Sequence, residues 1–202
     1  LRKNGIPVPE TMSLDDAWSS TNGQAQKDLI IKPVEGSSGR DVTTVSKGSP
    51  LPRAPGNSML VQERLVGPEY TVNVFVDRNG KVHSSVPHQR IEVRSGEVSK
   101  GRTVRDPRLT RLSESIYVEL PGLRGAFCFQ VIDDRVYGPK IFEINARFGG
   151  GYPLAHEAGA TYTQWLMEER LGLPLSANDA WDNELLMLRY DDAVFERRNP
   201  NQ

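Results

Sequence analysis

Apolar and polar positions alternate with strand period along much of this chain, and four stretches switch to helical spacing. Ser13-Leu14-Asp15-Asp16-Ala17-Trp18 joins a serine cap to two acidic residues in a first turn, which predicts a short helix. Leu109, Leu112, Ile116 and Leu120 lie on one helical face, and Pro121-Gly122 stops that helix. Helices are also predicted over 152–159 and 162–171, the second ended by Gly172. The remaining elements read as strands joined by turns. Residues 28–34 and 41–45 form a hairpin about Gly36-Ser37-Ser38-Gly39, with Pro33 placing the first strand at or near an edge. A strand follows at 59–63, after a Pro-, Gly- and Ser-rich loop. Asn79-Gly80 marks a hairpin between 71–76 and 81–86, and Asp133-Asp134 marks another between 126–132 and 140–147. Residues 88–104 alternate basic and apolar side chains as strand or loop, their simplest role being a solvated charged edge, and 185–190 supply a last strand. Short antiparallel hairpins interrupted by helices define an α+β fold class.

Composition narrows the function classes. At 202 residues the chain is large enough for one sizeable domain or two small lobes. A net charge of −1 with 25% charged residues argues against a general nucleic-acid binder, so an anionic ligand has to be met locally. The single cysteine, Cys128, sits in the apolar run Ala126-Phe127-Cys128-Phe129 and reads as a buried small hydrophobe. The sequence contains neither a membrane span nor a signal-peptide hydrophobic region, which makes a cytoplasmic setting the expectation. The chain opens at Leu1 and reaches Gly5-Ile6-Pro7-Val8-Pro9 at once, as though an upstream domain preceded it.

Three stretches carry candidate chemistry. In a strand, Glu143, Asn145 and Arg147 would share one face while Phe142, Ile144 and Ala146 face a core. A carboxylate and an amide two residues apart suit a hard cation such as magnesium, and the arginine could meet a phosphate; a plain edge strand with a solvated face is the competing reading. Lys32 ahead of the Gly36–Gly39 turn is a second phosphate candidate, although the order of lysine, glycines and strand is not that of a Walker A loop. The third is the connector Val61-Gln62-Glu63-Arg64-Leu65-Val66-Gly67-Pro68-Glu69, either an inter-lobe linker or a segment offering backbone groups to a purine and a carboxylate to a ribose.

Taken in chain order, with Lys32 and its glycine turn first, the connector next and the Glu143-Ile144-Asn145 strand last, the three stretches resemble the ATP-grasp superfamily, in the branch that looks like the large subunit of carbamoyl-phosphate synthase, from about Gly5 through Gly172. The resemblance implies an ATP-grasp fold of two α+β lobes with ATP between them. Residues 1–62 would form the linker helix and small lid lobe, residues 63–202 the large lobe, and the N-terminal pre-ATP-grasp domain would be missing. It also implies roles: Lys32 on the inner phosphates, Gly36, Ser37, Ser38 and Gly39 as a lid, Gln62, Glu63 and Leu65 around the adenine, and Glu69 on the ribose. Gln130, Glu143 and Asn145 would bind magnesium or manganese (Mg2+ or Mn2+), and Arg147 would sit at the transferred phosphate. Arg90 and Lys100 would be further phosphate or substrate contacts. Gln62 departs from the glutamate of many relatives. The implied activity is an ATP-dependent ligase that makes an acyl-phosphate from a small carboxylate for capture by an amine or ammonia, with neither nucleic acid nor membrane as partner. A non-catalytic ATP-binding regulatory module of the same fold is the alternative, and a phosphotransferase acting on a hydroxyl is a weaker third.

Overall fold

The computed structural model describes residues 1–35, 41–53, 58–193 and 195–196, and its strands build two antiparallel sheets. The smaller holds β1 (Thr11–Ser13), β2 (Leu29–Pro33), β3 (Thr43–Val45) and β4 (Met59–Glu63) in the order β1-β4-β2-β3. Helix α1 (Leu14–Thr21) starts where Ser13 Oγ accepts from the Asp16 N–H at 3.0 Å and packs Leu14 and Ala17 against Ile31, Val45, Leu51 and Val61. Strand β2 is interior, not an edge: β4 flanks it throughout, whereas β3 pairs only with Leu29, Ile30 and Ile31. Pro33 is tolerated because it lies past the last β3 partner.

The larger sheet contains β5 (Glu69–Val76), β6 (Val82–Arg94), β7 (Glu97–Thr103), β8 (Gly125–Asp134), β9 (Gly138–Asn145) and β10 (Leu186–Leu188), ordered β10-β7-β6-β5-β8-β9. Residues 88–104, expected as a charged edge or loop, instead form most of a long hairpin inside this sheet. One face packs Val72, Val74, Phe127, Phe129 and Val131 beneath Leu109, Leu112 and Ile116 of α2 (Pro107–Glu119). Ile6 joins this core and the Ile141 N–H donates to Pro7 O at 2.8 Å, so the first residues of the chain pack on the larger sheet. On the opposite face Phe75 and Val86 meet Tyr152 of α3 (Tyr152–Glu157) and Tyr162 and Trp165 of α4 (Tyr162–Leu171), with Trp181 behind them. None of the helices among the described residues is long and apolar enough to cross a membrane.

Period-2 alternation gives each strand of the larger sheet two faces with different fates. On β5, Val72 and Val74 turn to α2, while Glu69, Thr71 and Phe75 turn the other way. Helices α3 and α4 cover only the Phe75 end of that second face, and the Glu69 end lies open toward the small sheet.

The connector between the sheets is lashed to the β8–β9 turn. The Val66 N–H donates to Asp134 Oδ2 at 2.8 Å, Arg135 N–H to Val66 O at 3.1 Å and Asp133 N–H to Pro68 O at 3.0 Å. Gly67 lies in the middle, where an added Cβ would come within 1.9 Å of the Asp133 carbonyl oxygen, a backbone atom. Gly67→Ala is therefore expected to destabilise the fold by about 2 kcal/mol or more in urea unfolding, because the turn has to move to admit a methyl group.

Candidate nucleotide cleft

Between the open half of the larger sheet and the small sheet lies a cleft of about 700 Å³, within the range of small-molecule sites. Lys32, Gln62, Glu63 and Leu65 line it from the small-sheet side and the connector; Glu69, Thr71, Arg90, Gln130, Glu143, Asn145 and Arg147 line it from the larger sheet. Strand order explains the gathering: β5, β8 and β9 are successive neighbours, and Gln130 is paired directly with Glu143 across the β8–β9 ladder.

The expected alternation on β9 is broken by a bulge. Gln130 pairs with Glu143 but Val131 pairs with Ile141, which leaves Phe142 as an extra residue. Ile141 and Ile144 thus reach the core under α2, and Phe142 lines the cleft beside Glu143. Arg147 lies two residues beyond the strand, with its N–H donating to Asn145 O at 2.8 Å and its guanidinium to Phe148 O at 2.9 Å. It reaches the cleft through a turn and not along a shared strand face.

Asn145 Nδ2 donates to Glu143 Oε1 at 2.8 Å, which orients the amide oxygen away from that contact. Gln130, Glu143 and Asn145 contribute one carboxylate and two amides, oxygen donors that fit a hard divalent cation taking its other ligands from phosphate and water. Among the described residues no cluster of three or more His, Cys, Asp or Glu side chains could hold a metal, so an all-protein cage is not built here.

Lys32 has no salt bridge among the described residues. Burial pushes its ammonium below the usual lysine range, and the Glu143 carboxylate partly offsets the shift. Burial raises the Glu69 carboxyl and the nearby Glu143 adds to the rise, against the pull of Arg90. Arg90 Nε lies 2.8 Å from Glu69 Oε1 as a close ion contact without an aligned hydrogen bond, while its Nη2 donates to Gly96 O at 2.9 Å. Glu63 is buried and committed to structure: it contacts Lys140 on β9, lies 3.5 Å from Lys27 and accepts the Glu10 N–H at 3.1 Å. Gln62 donates to Thr11 Oγ1 at 2.9 Å, and the backbone N–H of Leu65 has no partner among the described residues.

Lys100 does not join the cleft. It pairs with Glu92 at 2.6 Å, because Glu92 on β6 stands directly opposite Lys100 on β7. Residues 36–39 lie outside the described residues. His156 contacts Tyr152 within α3 and does not line the cleft. Glu97, which the sequence reading passed over, does line it, together with Gly149, Gly150 and Gly151. The only sequence signal for Glu97 was its place beside a Ser95-Gly96 turn.

The glycine run is a close-packing device. A Cβ on Gly149 would come within 3.0 Å of Cys128 Sγ, and one on Gly151 within 2.5 Å of His88 Nε2. Burial pushes the Cys128 thiol up to about 11, in keeping with an inert core residue. His88 is fully buried, shares a 3.2 Å hydrogen bond between Nδ1 and Asn73 Nδ2, and leaves Nε2 without a hydrogen-bond partner among the described residues. Burial, reinforced by Arg90, lowers its pKa from 6.5 to about 3.

Fold and site together define an α+β protein with a polar ligand cleft between two antiparallel sheets. The family model for the ATP-grasp domain matches residues 1–151, and the chain belongs to that family. Solved structures agree on the fold. Biotin carboxylase from Campylobacter jejuni, in a complex with β,γ-ATP, superposes with a TM-score of 0.73 at 16% identity, over 92% of this chain and 47% of that one. N5-carboxyaminoimidazole ribonucleotide synthetase from Thermotoga maritima gives 0.61 at 18% identity, over 89% and 48%. The biotin carboxylase domain of Hydrogenobacter thermophilus 2-oxoglutarate carboxylase, with MgADP, ADP and bicarbonate, gives 0.70 at 14%, over 92% and 46%. This chain thus spans about half the length of each. No curated protein sequence matches it.

His88 sets an acid limit on the fold. Its folded pKa lies below its unfolded value, so the unfolded chain binds the extra proton and stability falls as pH drops from about 6.5 toward 3. Urea melts of the wild type should lose on the order of 3 kcal/mol from this group between pH 7 and pH 4. His88→Gln should remove that part of the slope, and an unchanged slope would show that His88 is not its source.

Proposed function

We propose that the cleft binds ATP with magnesium and that the protein is an ATP-dependent ligase, converting a small carboxylate into an acyl phosphate that an amine or ammonia then displaces. The observation that carries this reading is the placement of Lys32 on one wall and Arg147 on the other, both without salt bridges among the described residues, around the Gln130, Glu143 and Asn145 oxygens. The ATP, MgADP and bicarbonate bound in the similar structures point the same way. A carbamoyl-phosphate synthase-like reaction is one member of this class.

Lys32 would meet the inner phosphates, where its half-buried ammonium gains the counter-charge that the cleft only partly provides through Glu143. Leu65 would offer its N–H to the adenine and Glu69 its carboxylate to the ribose. Gln130, Glu143 and Asn145 would hold the magnesium, which when bound supplies positive charge to the phosphate oxygens. Arg147 would steady the transferring phosphoryl group, whose transfer depends on positioning and charge more than on a protein nucleophile. The substrate carboxylate oxygen bonds to the γ-phosphorus as its bond to ADP breaks. The amine nitrogen then bonds to the acyl carbon, phosphate leaves with the electron pair of the broken C–O bond, and the nitrogen releases a proton.

Calorimetry with a non-hydrolysable ATP analogue is expected to show binding that tightens with magnesium. Glu143→Gln should abolish that magnesium dependence, and Lys32→Met should weaken binding by about 10- to 100-fold, the size expected for a charge-assisted phosphate contact. Equal affinity with and without magnesium, or unchanged binding in Glu143→Gln at an unchanged unfolding midpoint, would remove the basis of the proposal. ADP release that requires both a carboxylate and an amine would establish the ligase.

A further inference from the structure

Glu97 is the cleft carboxylate for which nucleotide, magnesium and fold provide no use. It opens β7 directly after the Ser95-Gly96 turn, and that turn is anchored by the Arg90 Nη2 bond to Gly96 O. Its side chain lies against the glycine run: a Cβ built on Gly150 would fall 1.5 Å from Glu97 Oε2. The absence of a side chain at Gly150 is what admits the carboxylate to that place. Among the described residues Glu97 makes neither a salt bridge nor a side-chain hydrogen bond, although Arg90, Arg94, Lys100 and Arg102 lie on the same hairpin. Those four take Glu69, Glu92, Glu92 and Glu184 as partners.

A carboxylate in this position opposes the phosphates and the acyl phosphate, since like charges in a shared cleft repel. It attracts a cation. The reaction proposed above has one component that arrives as a cation at neutral pH, the protonated amine. We infer that Glu97 recognises the ammonium group of the amine co-substrate, a primary amine or ammonia that arrives protonated; the bound ammonium gives one proton to the Glu97 carboxylate, which frees the nitrogen lone pair to attack the acyl carbon. Glu97 is thus a specificity-determining residue on the side of the cleft that Gly149, Gly150 and Arg147 line. The inference rests on the ligase reading, and the two fail in different ways.

The test uses the intact polypeptide with ATP, magnesium and a panel of carboxylates including bicarbonate, acetate and succinate. Hydroxylamine, a nucleophile that is uncharged at neutral pH, captures an acyl phosphate as a hydroxamate. No hydroxamate from any carboxylate would sink the ligase reading itself. Once hydroxamate forms, ammonium chloride, ethanolamine and α-amino acids are compared as nucleophiles by ADP release. Glu97→Gln is expected to raise the KM for the cationic amine at least ten-fold relative to that for hydroxylamine, and Glu97→Asp to recover part of the difference. The assignment to Glu97 is overturned if the KM ratio is unchanged in Glu97→Gln, or if no cationic amine accelerates ADP release while hydroxamate still forms. Equal unfolding midpoints of the two variants separate recognition from folding.

Discussion

The arrangement of the cleft depends on one buried carboxylate. Glu63 ends β4 of the small sheet, and its partners come from both sides: Lys140 from β9, Lys27 and the Glu10 N–H from the small-sheet side. Burial alone would push this carboxyl up, but the Lys140 hydrogen bond, the Glu10 N–H and the charges of both lysines bring it below the ordinary range. A desolvated carboxylate without those partners would be costly, so the ion contact fixes β4 against β9. Lys32 on β2 is paired with Leu60 of β4, and Glu143 lies three residues along β9 from Lys140. The distance between the phosphate candidate and the metal candidate is therefore inherited from the Glu63 contact. Glu63 holds the walls, while Leu65, whose N–H has no partner among the described residues, and the other polar residues line the space between them.

The larger sheet divides its labour by face and by length. One face is buried along β5 and β8 by Val72, Val74, Phe127, Phe129 and Val131 under α2. The other face is closed at one end by α3 and α4 and left open at the other, where the same alternation presents Glu69, Thr71 and Gln130. Tyr162 secures the boundary by donating to the Asn73 backbone oxygen at 3.0 Å. A polar cleft and an apolar core can thus share single strands because adjacent residues point in opposite directions.

Much of this was legible in the sequence, for reasons that are local. Ser13 predicts the start of α1 because capping involves residues three apart, and Asn79-Gly80 predicts a hairpin because its turn geometry is set by two residues. Lys32, Glu143 and Asn145 stood out as polar interruptions of apolar runs, and the cleft contains all three. What was hidden depends on partners distant in sequence. The bulge at Phe142 is a property of two strands, so no pattern in β9 alone announces it. Lys100 looked like a ligand contact until β6 supplied Glu92, and 88–104 looked like an edge until β5 and β7 were seen on either side of β6. The glycine run after Arg147 likewise answers to distant neighbours, because a Cβ on Gly149 or Gly151 would crowd Cys128 or His88.

The charges of the cleft differ less in number than in freedom. Arg90 is engaged by Glu69, Thr71 and Gly96, and Lys140 by Glu63. Lys32 and Arg147 are the cleft cations among the described residues that have no salt bridge, one reached from β2 and the other from the turn after β9. Desolvation makes the Lys32 ammonium hold its proton less tightly, and the Coulomb attraction of an anion placed beside it would oppose that shift. A ligand carrying several negative charges would meet Lys32 from one wall of the cleft and Arg147 from the other.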